Sequence, residues 1–318
     1  MQKLALTILS LVGIVAVIVV LNFYDKPLPG FVPEVISTFS ASPLSEVSGM
    51  VKSRSYPNTY WVVNDSGNGN RLFAVNNEGN NIIPTFSRFS FYGEDAEEGK
   101  EQWEGFRVLY AENIDWETMT VDDNYLYVGD VGNNFNNRRD LKVYLLSEID
   151  PTASTQSAVI KTLPIRYPDQ TEFPSIVSPH FDSEAMFIAD GTLYFITKHR
   201  NGRGGYEAGA KLYRLDTDFT EQDNELTLIE SHSELLAVTG AELSPDGETL
   251  AVVSYEALWL FERPREGDQW LSSNARRYAL DTRTVDQVET VIWDDDQTLL
   301  LTNEQRDLMR INIADLDK

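Results

Sequence analysis

The 318-residue chain repeats one short pattern five times. In each copy a polar or acidic residue precedes an alternation of apolar residues, a tight turn follows, and a second apolar run ends in polar residues. The copies span residues 48–65, 117–130, 184–198, 240–255 and 289–304. Because a repeated pattern indicates an array of similar supersecondary units, it constrains the fold more than any single motif does.

Each copy predicts two strands joined by a hairpin whose turn contains Asp or Gly. Third apolar runs follow at residues 72–75, 143–146, 212–215, 258–261 and 308–311. Fainter fourth runs follow at residues 82–86, 159–166, 226–229 and 276–280. Four antiparallel strands per repeat are the unit of a β-propeller. The sequence therefore predicts an all-β fold, a five-bladed β-propeller.

The two ends of the repeat array bear on this blade count. The fifth copy ends near the C-terminus without a fourth strand, whereas residues 35–39 offer a spare strand. Propellers commonly close by such pairing, which removes an exposed edge. A sixth blade would have to lie within residues 86–110, where Glu94, Asp95, Glu97 and Glu98 instead indicate a long acidic loop.

The N-terminal residues predict a membrane anchor. Residues 4–21 are apolar apart from Thr7 and Ser10, a length near the lower end for a membrane-spanning helix and longer than a typical signal-peptide core. We predict an uncleaved signal anchor at residues 1–24, a linker at 25–33 and the propeller domain at 34–318. A cleaved signal peptide is the alternative. The anchor predicts a single-pass inner-membrane protein with its C-terminal domain in the periplasm or extracytoplasmic space.

The composition favours some ligand classes over others. A net charge of −24 and a pI near 4.4 repel phosphate backbones, which argues against nucleic acid as a partner and makes cations more natural ligands. The chain has no cysteine, so disulfides and thiolate metal sites are excluded.

The starts of the first strands form one candidate site. In a propeller these starts line the channel, on the same face as the ends of the second strands. The homologous positions hold Ser48, Glu117, Glu184, Gly240 and Glu289. Such carboxylates repel one another unless a cation or protons neutralise them, and oxygen-only ligands suit a hard ion. We predict calcium held by Ser48, Glu117, Glu184 and Glu289; the alternative is that these acids bind backbone amides or water.

The polar loops after the second strands would lie around the same end of the channel. Tight-turn chemistry explains any one of them, but their shared position brings together Asp65, Asp130, Lys198 and Arg200. A carboxylate-bound metal beside Lys and Arg is the arrangement that phosphoester hydrolysis requires, because charge developing on phosphate oxygens must be stabilised. These four residues are the candidate catalytic residues.

Several motifs together resemble a known family. They are Asn64-Asp65-Ser66-Gly67, Asp115-Trp116-Glu117, Gly129-Asp130-Val131-Gly132-Asn133-Asn134, Asp182-Ser183-Glu184-Ala185 and Thr239-Gly240-Ala241-Glu242-Leu243-Ser244-Pro245-Asp246-Gly247. The chain is similar to a poorly characterised family of exported bacterial β-propeller proteins, which implies a fold but no established activity. The predicted architecture of the chain also resembles that of the calcium-activated nucleotidases, which are five-bladed propellers with a calcium ion in the channel. Gly240 departs from the arrangement of calcium ligands in those proteins.

Two function classes follow from these features. The first is a membrane-anchored binding or scaffold module that holds a hard cation in its channel and recruits an unknown protein or a small anionic ligand. The second is a calcium-dependent hydrolase of phosphoesters or nucleotides. The sequence contains no Walker loop, HExxH or GxSxG motif that would indicate another chemistry.

Overall fold

A computed structural model describes residues 30–39, 44, 46–65, 69–88 and 103–318. The predicted anchor at residues 1–24, most of the predicted linker and the acidic residues Glu94, Asp95, Glu97 and Glu98 lie outside the described residues. The described part of the chain contains no helix long and apolar enough to cross a membrane.

The described chain begins with one strand and then forms two sheets that are joined at their edges. Strand β1 is Glu34–Thr38. The first sheet contains β2 (Val47–Lys52), β3 (Tyr60–Asn64), β4 (Arg71–Val75) and β5 (Phe106–Leu109). The second contains β6 (Trp116–Val121), β7 (Leu126–Asp130), β8 (Lys142–Leu146) and β9 (Gln156–Arg166). Within each sheet consecutive strands pair antiparallel, and β5 pairs parallel with β9.

Two further sheets follow in the chain. The third contains β10 (Asp182–Ala189), β11 (Thr192–Lys198), β12 (Ala208–Arg214) and β14 (Thr227–Leu236), while the short β13 (Asn224–Glu225) pairs with β9. The fourth contains β15 (Val238–Leu243), β16 (Thr249–Ser254), β17 (Ala257–Glu262) and β18 (Ala275–Ala279).

The last sheet combines the two ends of the described chain. It contains β19 (Val288–Asp295), β20 (Thr298–Asn303) and β21 (Asp307–Asn312), with β1 as its fourth strand. β1 runs antiparallel to β21, with Glu34 opposite Arg310 and Thr38 opposite Asp307. The Thr38 hydroxyl donates to Asp307 Oδ1 at 2.9 Å, so side chains as well as backbone hold this strand in place.

Helical structure is confined to short turns in the described residues. They are the 3-10 turns Thr85–Arg88, Trp270–Ser272 and Ile313–Asp315 and the single α-helical turn Thr282–Val285. Asp281 caps the α-helical turn by accepting hydrogen bonds from the backbone of Arg283 and Thr284. The prediction of an all-β fold is confirmed.

The hydrophobic core lies between the sheets. Each cluster of buried apolar side chains joins two consecutive sheets. For example, Phe187 of β10 and Trp259 of β17 belong to the same cluster. Equivalent clusters join the other neighbouring sheets, including the last sheet to the first. The first strands β2, β6, β10, β15 and β19 also contact one another in that order and back to β2. This closed array of sheets is a β-propeller-like architecture.

Small residues let the first strands approach closely. Gly240 of β15 is an example, because a Cβ atom there would lie 2.9 Å from both Thr290 Cα and Val291 N of β19. Atoms at that distance overlap, so any larger residue must push the two strands apart.

We expect Gly240→Ala to lower the free energy of unfolding by about 1–3 kcal/mol, the usual cost of forcing an extra group into a packed core. Gly205→Ala is the matched control, because the three atoms nearest to its Cβ belong to the exposed side chain of Asn201 and not to backbone. Urea unfolding followed by tryptophan fluorescence measures both variants. Equal stabilities would contradict the close contact of β15 with β19.

Candidate functional site

A β-bulge near the start of each first strand forms the base of the site. At each bulge one residue of the first strand is left out of the pairing with the second strand. The bulged residues are Ser48, Glu117, Glu184, Thr239 and Glu289, all buried. Bulges redirect side chains away from the regular ladder, and the bulged Ser48, Glu117, Glu184 and Glu289 line one cavity.

The fifth position of this ring is Thr239 and not Gly240. Gly240 pairs with Val253, whereas the residue skipped by the register is Thr239. The Thr239 hydroxyl donates to the carbonyl of Val288 at 2.7 Å. Ser48 makes the equivalent bond to the carbonyl of Trp116, also at 2.7 Å. Both hydroxyl members of the ring therefore connect their own first strand to the first strand of the next sheet.

The cavity has a volume of about 200 Å³ and opens at the starts of the first strands. Besides the four bulged residues, its lining includes Asp65, Asn134, Lys198, Arg200, Tyr206, Tyr255 and Glu304. The structure thus brings together all four predicted metal ligands. It also brings Asp65, Lys198 and Arg200 of the predicted catalytic set to the same cavity, but not Asp130.

Lys198 is the central cation of the site. Its ammonium forms an ion pair with Glu184, and both side chains are almost fully buried. Lys198 Nζ also donates to the Tyr255 hydroxyl at 3.1 Å, and that hydroxyl donates to Glu289 Oε1 at 3.2 Å. Burial alone would lower the pKa of Lys198, but the charges of Glu184 and Glu289 raise it. The lysine is therefore charged, and the network links three sheets.

Two tyrosine rings complete the surroundings of this ammonium. Lys198 Nζ lies 4.9 Å from the ring centroid of Tyr206 and 4.6 Å from that of Tyr255. Arg200 lies 5.1 Å from the Tyr206 ring, and its Nε donates to Asp182 Oδ2 at 2.8 Å. Both cations of the cavity are thus held by carboxylates and aromatic faces of the protein itself.

Glu117 is in a different situation. Its side chain is 7% exposed, and it has no hydrogen-bond or ion-pair partner among the described residues. Burial first, and then the charges of Glu184 and Asp115, raise its pKa well above the usual value. Its carboxylate has room because residue 132 is glycine: a Cβ atom at Gly132 would lie 2.7 Å from Glu117 Oε1. The charge of Lys198 acts in the opposite direction, but its ammonium forms its ion pair with Glu184. Glu117 is therefore buried without an ion-pair partner in the described residues.

Asp65 adds a second uncompensated carboxyl group. Its Oδ1 atom is buried and lacks a hydrogen-bond partner within the described chain. Burial, followed by the charges of Glu46, Asp115 and Glu304, raises the pKa of Asp65 to about 7. We call Asp65 and Glu117 the acidic half of the cavity. It contrasts with the half in which Lys198 and Arg200 neutralise Glu184.

Asp130 lies behind the cavity wall. It is fully buried and forms an ion pair with Arg138 at 2.9 Å. Its Oδ1 atom also accepts a hydrogen bond from the backbone of Asp115 at 3.1 Å, and Arg138 donates to the Gly132 carbonyl at 2.8 Å. Asp130 thus fixes the loop that carries Gly132 instead of meeting a ligand.

A second cavity lies at the opposite end of the first strands. It has a volume of about 430 Å³, and its lining includes Lys52, Arg54, Glu242 and Trp293. The Glu242 carboxylate accepts a hydrogen bond from the backbone of Trp293. Burial raises the pKa of Glu242 to about 7. Glu242 therefore belongs to this second cavity and not to the ring of Glu117, Glu184 and Glu289.

Sequence reasoning missed two residues of the site for identifiable reasons. The sequence placed the fifth ring position at Gly240, one residue after Thr239, because the apolar alternation does not reveal a bulge. Tyr206 lies in the loop between β11 and β12, where no periodic pattern exists. Among the residues that the structure describes, no three His, Asp or Glu side chains form a group arranged to hold a metal ion.

Comparisons with known proteins give only distant likenesses. No family model matches the sequence, and no curated protein matches it. The PQQ-bound aldose sugar dehydrogenase of Streptomyces coelicolor is 11% identical, with 90% of this chain and 97% of that chain covered and a TM-score of 0.44. A luciferin-regenerating enzyme is 11% identical, with 91% and 81% covered and a TM-score of 0.39. Likenesses this distant assign neither a ligand nor a reaction to this chain.

We expect Lys198→Met to destabilise the protein by about 3–5 kcal/mol, because removing one member of a buried ion pair leaves the other charge without compensation. Lys211→Met is the matched control. Its pair with Asp169, at 2.6 Å, has side chains 17% and 33% exposed, so solvent screens it more than the Lys198 pair, and exposed pairs contribute only about 0–1 kcal/mol. Urea unfolding at neutral pH measures both, and Lys198→Met with Glu184→Gln should recover part of the loss. Equal effects of the two single variants would contradict the central role of Lys198.

The raised pKa of Asp65 predicts a pH dependence of stability. Its pKa rises from an ordinary 3.8 to about 7 in the fold, so between these values the folded state holds a proton that the unfolded state has lost. The stability contributed by this group therefore falls as the pH rises from about 4 through about 7. Asp65→Asn should raise the melting temperature at pH 8 far more than at pH 4, whereas the exposed control Asp223→Asn should change it little at either pH. An equal effect of Asp65→Asn at both pH values would show that Asp65 is not buried in this way.

Proposed function

We propose that the chain is a five-bladed β-propeller, with one blade per repeat and β1 closing the last blade, and that it acts as a binding module with a hard cation at its channel mouth. The observation that carries this proposal is Glu117. A carboxylate that is nine-tenths buried, faces a cavity and has no partner costs free energy unless a proton or a cation neutralises it.

The acidic half supplies the ligands for such an ion. Glu117, Asp65 and Ser48 line the same cavity, and the Oδ1 atom of Asp65 has no hydrogen-bond partner within the described chain. All of these donors are oxygen atoms, which favours calcium, with its flexible coordination, over softer metals.

This placement modifies the ligand set expected from the sequence. Glu184 already neutralises Lys198, and Glu289 accepts a hydrogen bond from Tyr255. A cation beside those two carboxylates would have to compete with the lysine ammonium, whereas Glu117 forms no ion pair of its own in the described residues. In the proposed site Glu117 and Asp65 therefore hold the ion, and Glu184 and Glu289 maintain the surrounding wall.

The alternative of a phosphoester hydrolase has less support. Lys198 and Arg200, which would have to stabilise phosphate, are already engaged by Glu184 and Asp182. Asp130, a further member of that candidate set, is enclosed with Arg138. A site whose cations are neutralised within the protein is better suited to binding than to stabilising charge that develops during a reaction.

Calcium should raise the melting temperature of the protein, because a ligand that binds only the folded state stabilises it. Magnesium should raise it less, and chelator should reverse the effect. Glu117→Gln should show two changes at once: a higher melting temperature without calcium at pH 8, because a buried charge is removed, and loss of the calcium shift.

Glu242→Gln is the matched control, since it neutralises a buried carboxyl group whose pKa is also raised, at the opposite end of the first strands. It should retain the calcium shift in full. The absence of any shift in the unmodified protein, or a shift that survives Glu117→Gln, would overturn the cation site. Hydrolysis of a chromogenic phosphodiester that stops on chelation would favour the enzyme instead.

A further inference from the structure

Four large apolar side chains are more exposed than any others in the described residues. In the described residues Tyr110, Phe135, Ile176 and Val177 are 85%, 82%, 70% and 88% exposed, and every other large apolar side chain is less exposed. Single exposed apolar residues are ordinary on a protein surface, but several on one face indicate a surface that contacts something else.

These four side chains lie on one face of the fold. Tyr110 lies between the end of β5 and the start of β6, and Phe135 lies in the loop after β7. Ile176 and Val177 lie just before the start of β10. The starts of first strands and the ends of second strands pair with each other, as Trp116 does with Asp130. All four residues therefore belong to the face on which the 200 Å³ cavity opens, which we call the mouth face.

The loops that carry three of these residues are held firmly. The carbonyl of Asn136 accepts hydrogen bonds from the Ser175 backbone and from Gln170 Nε2, each at 3.0 Å. The side chain of Asn136 accepts a further bond from the Phe181 backbone at 2.7 Å. Asn136 thereby ties the loop of Phe135 to the segment of Ile176, and the fold presents their side chains to solvent from a fixed backbone.

The described chain also begins at this face. The Phe31 backbone N–H donates to the Ala279 carbonyl at 2.7 Å. The backbone N–H of Leu280, which follows Ala279, donates to the Glu256 carbonyl at 2.9 Å. Glu256 belongs to the turn between β16 and β17, which follows the end of a second strand and so lies on the mouth face. The 29 residues that precede Gly30 include the apolar stretch 4–21.

We propose that the mouth face docks on a lipid bilayer, with Tyr110, Phe135, Ile176 and Val177 inserted into the interfacial region. Single protruding side chains on separate loops suit a soft surface that needs no matching pocket, and a tyrosine is favoured at the membrane–water interface. The start of the described chain at the same face, after an apolar stretch, favours a lipid occupant over a protein partner. With a net charge of −24, the protein should prefer zwitterionic to anionic lipid. This inference does not depend on cation binding.

The absence of cysteine from the chain allows a direct test. Full-length protein carrying Val177→Cys or Phe135→Cys is labelled with a nitrobenzoxadiazole fluorophore and reconstituted with phosphatidylcholine vesicles. The control is Ile160→Cys, which is 55% exposed on the outermost strand β9 of the second sheet. We expect a blue shift, a gain of emission and quenching by a spin label within the bilayer at positions 177 and 135, but not at 160.

The same labels distinguish the other outcomes. If the labels at 177 and 135 stay as water-exposed on vesicles as the label at 160, or if the protein does not float with the vesicles, lipid docking is overturned. A blue shift at 177 that requires a protein partner and occurs without lipid would equally overturn it and assign the face to that partner. A stronger response on phosphatidylglycerol than on phosphatidylcholine vesicles would contradict the expected lipid preference.

Discussion

Three buried carboxylates share one narrow channel mouth, and the way their charges are compensated organises the rest of the site. Glu184 is neutralised by Lys198, and Glu289 is linked to the same ammonium through the Tyr255 hydroxyl. Glu117 has no such partner in the described chain. The electrostatic asymmetry follows from geometry, because Lys198 ends the second strand of the third sheet and its ammonium bonds to Glu184 and to Tyr255 of the fourth sheet.

Much of the architecture could be predicted from the sequence, because β-propeller-like sheets are built from local hairpins with a two-residue period. Every first and second strand of the repeats lies where the apolar alternation indicated it. The outermost strands are less regular: β5 lies at Phe106–Leu109, well beyond the apolar run at residues 82–86, and β14 extends to Leu236. Outer strands bury few of their side chains, as the mostly exposed or half-buried residues of β9 and β14 show, so their sequences carry a weaker apolar alternation.

The site was harder to predict than the fold, and the reason is register. A bulge adds one residue and leaves an apolar alternation on either side. Comparison of the five copies in the sequence therefore placed Gly240 where the fold places Thr239. The same limitation applies to charge partners. Lys198 and Glu184 are 14 residues apart, and only the pairing of β10 with β11 brings them together. Asp130 is the last residue of β7 and pairs with Arg138, whereas Asp65 lies one residue beyond the end of β3 and lines the cavity.

The two proposals place a constraint on each other. If the mouth face lies on a bilayer, the channel mouth opens towards the membrane, and an ion or a small ligand must reach Glu117 from the interfacial layer. The opposite mouth, with Glu242, would then be the one open to bulk solvent. A bilayer below the acidic half would also lower the local dielectric constant, which strengthens the repulsion between Asp65 and Glu117 and so increases the advantage of a bound cation. Docking and cation binding should therefore favour each other, although each rests on separate residues.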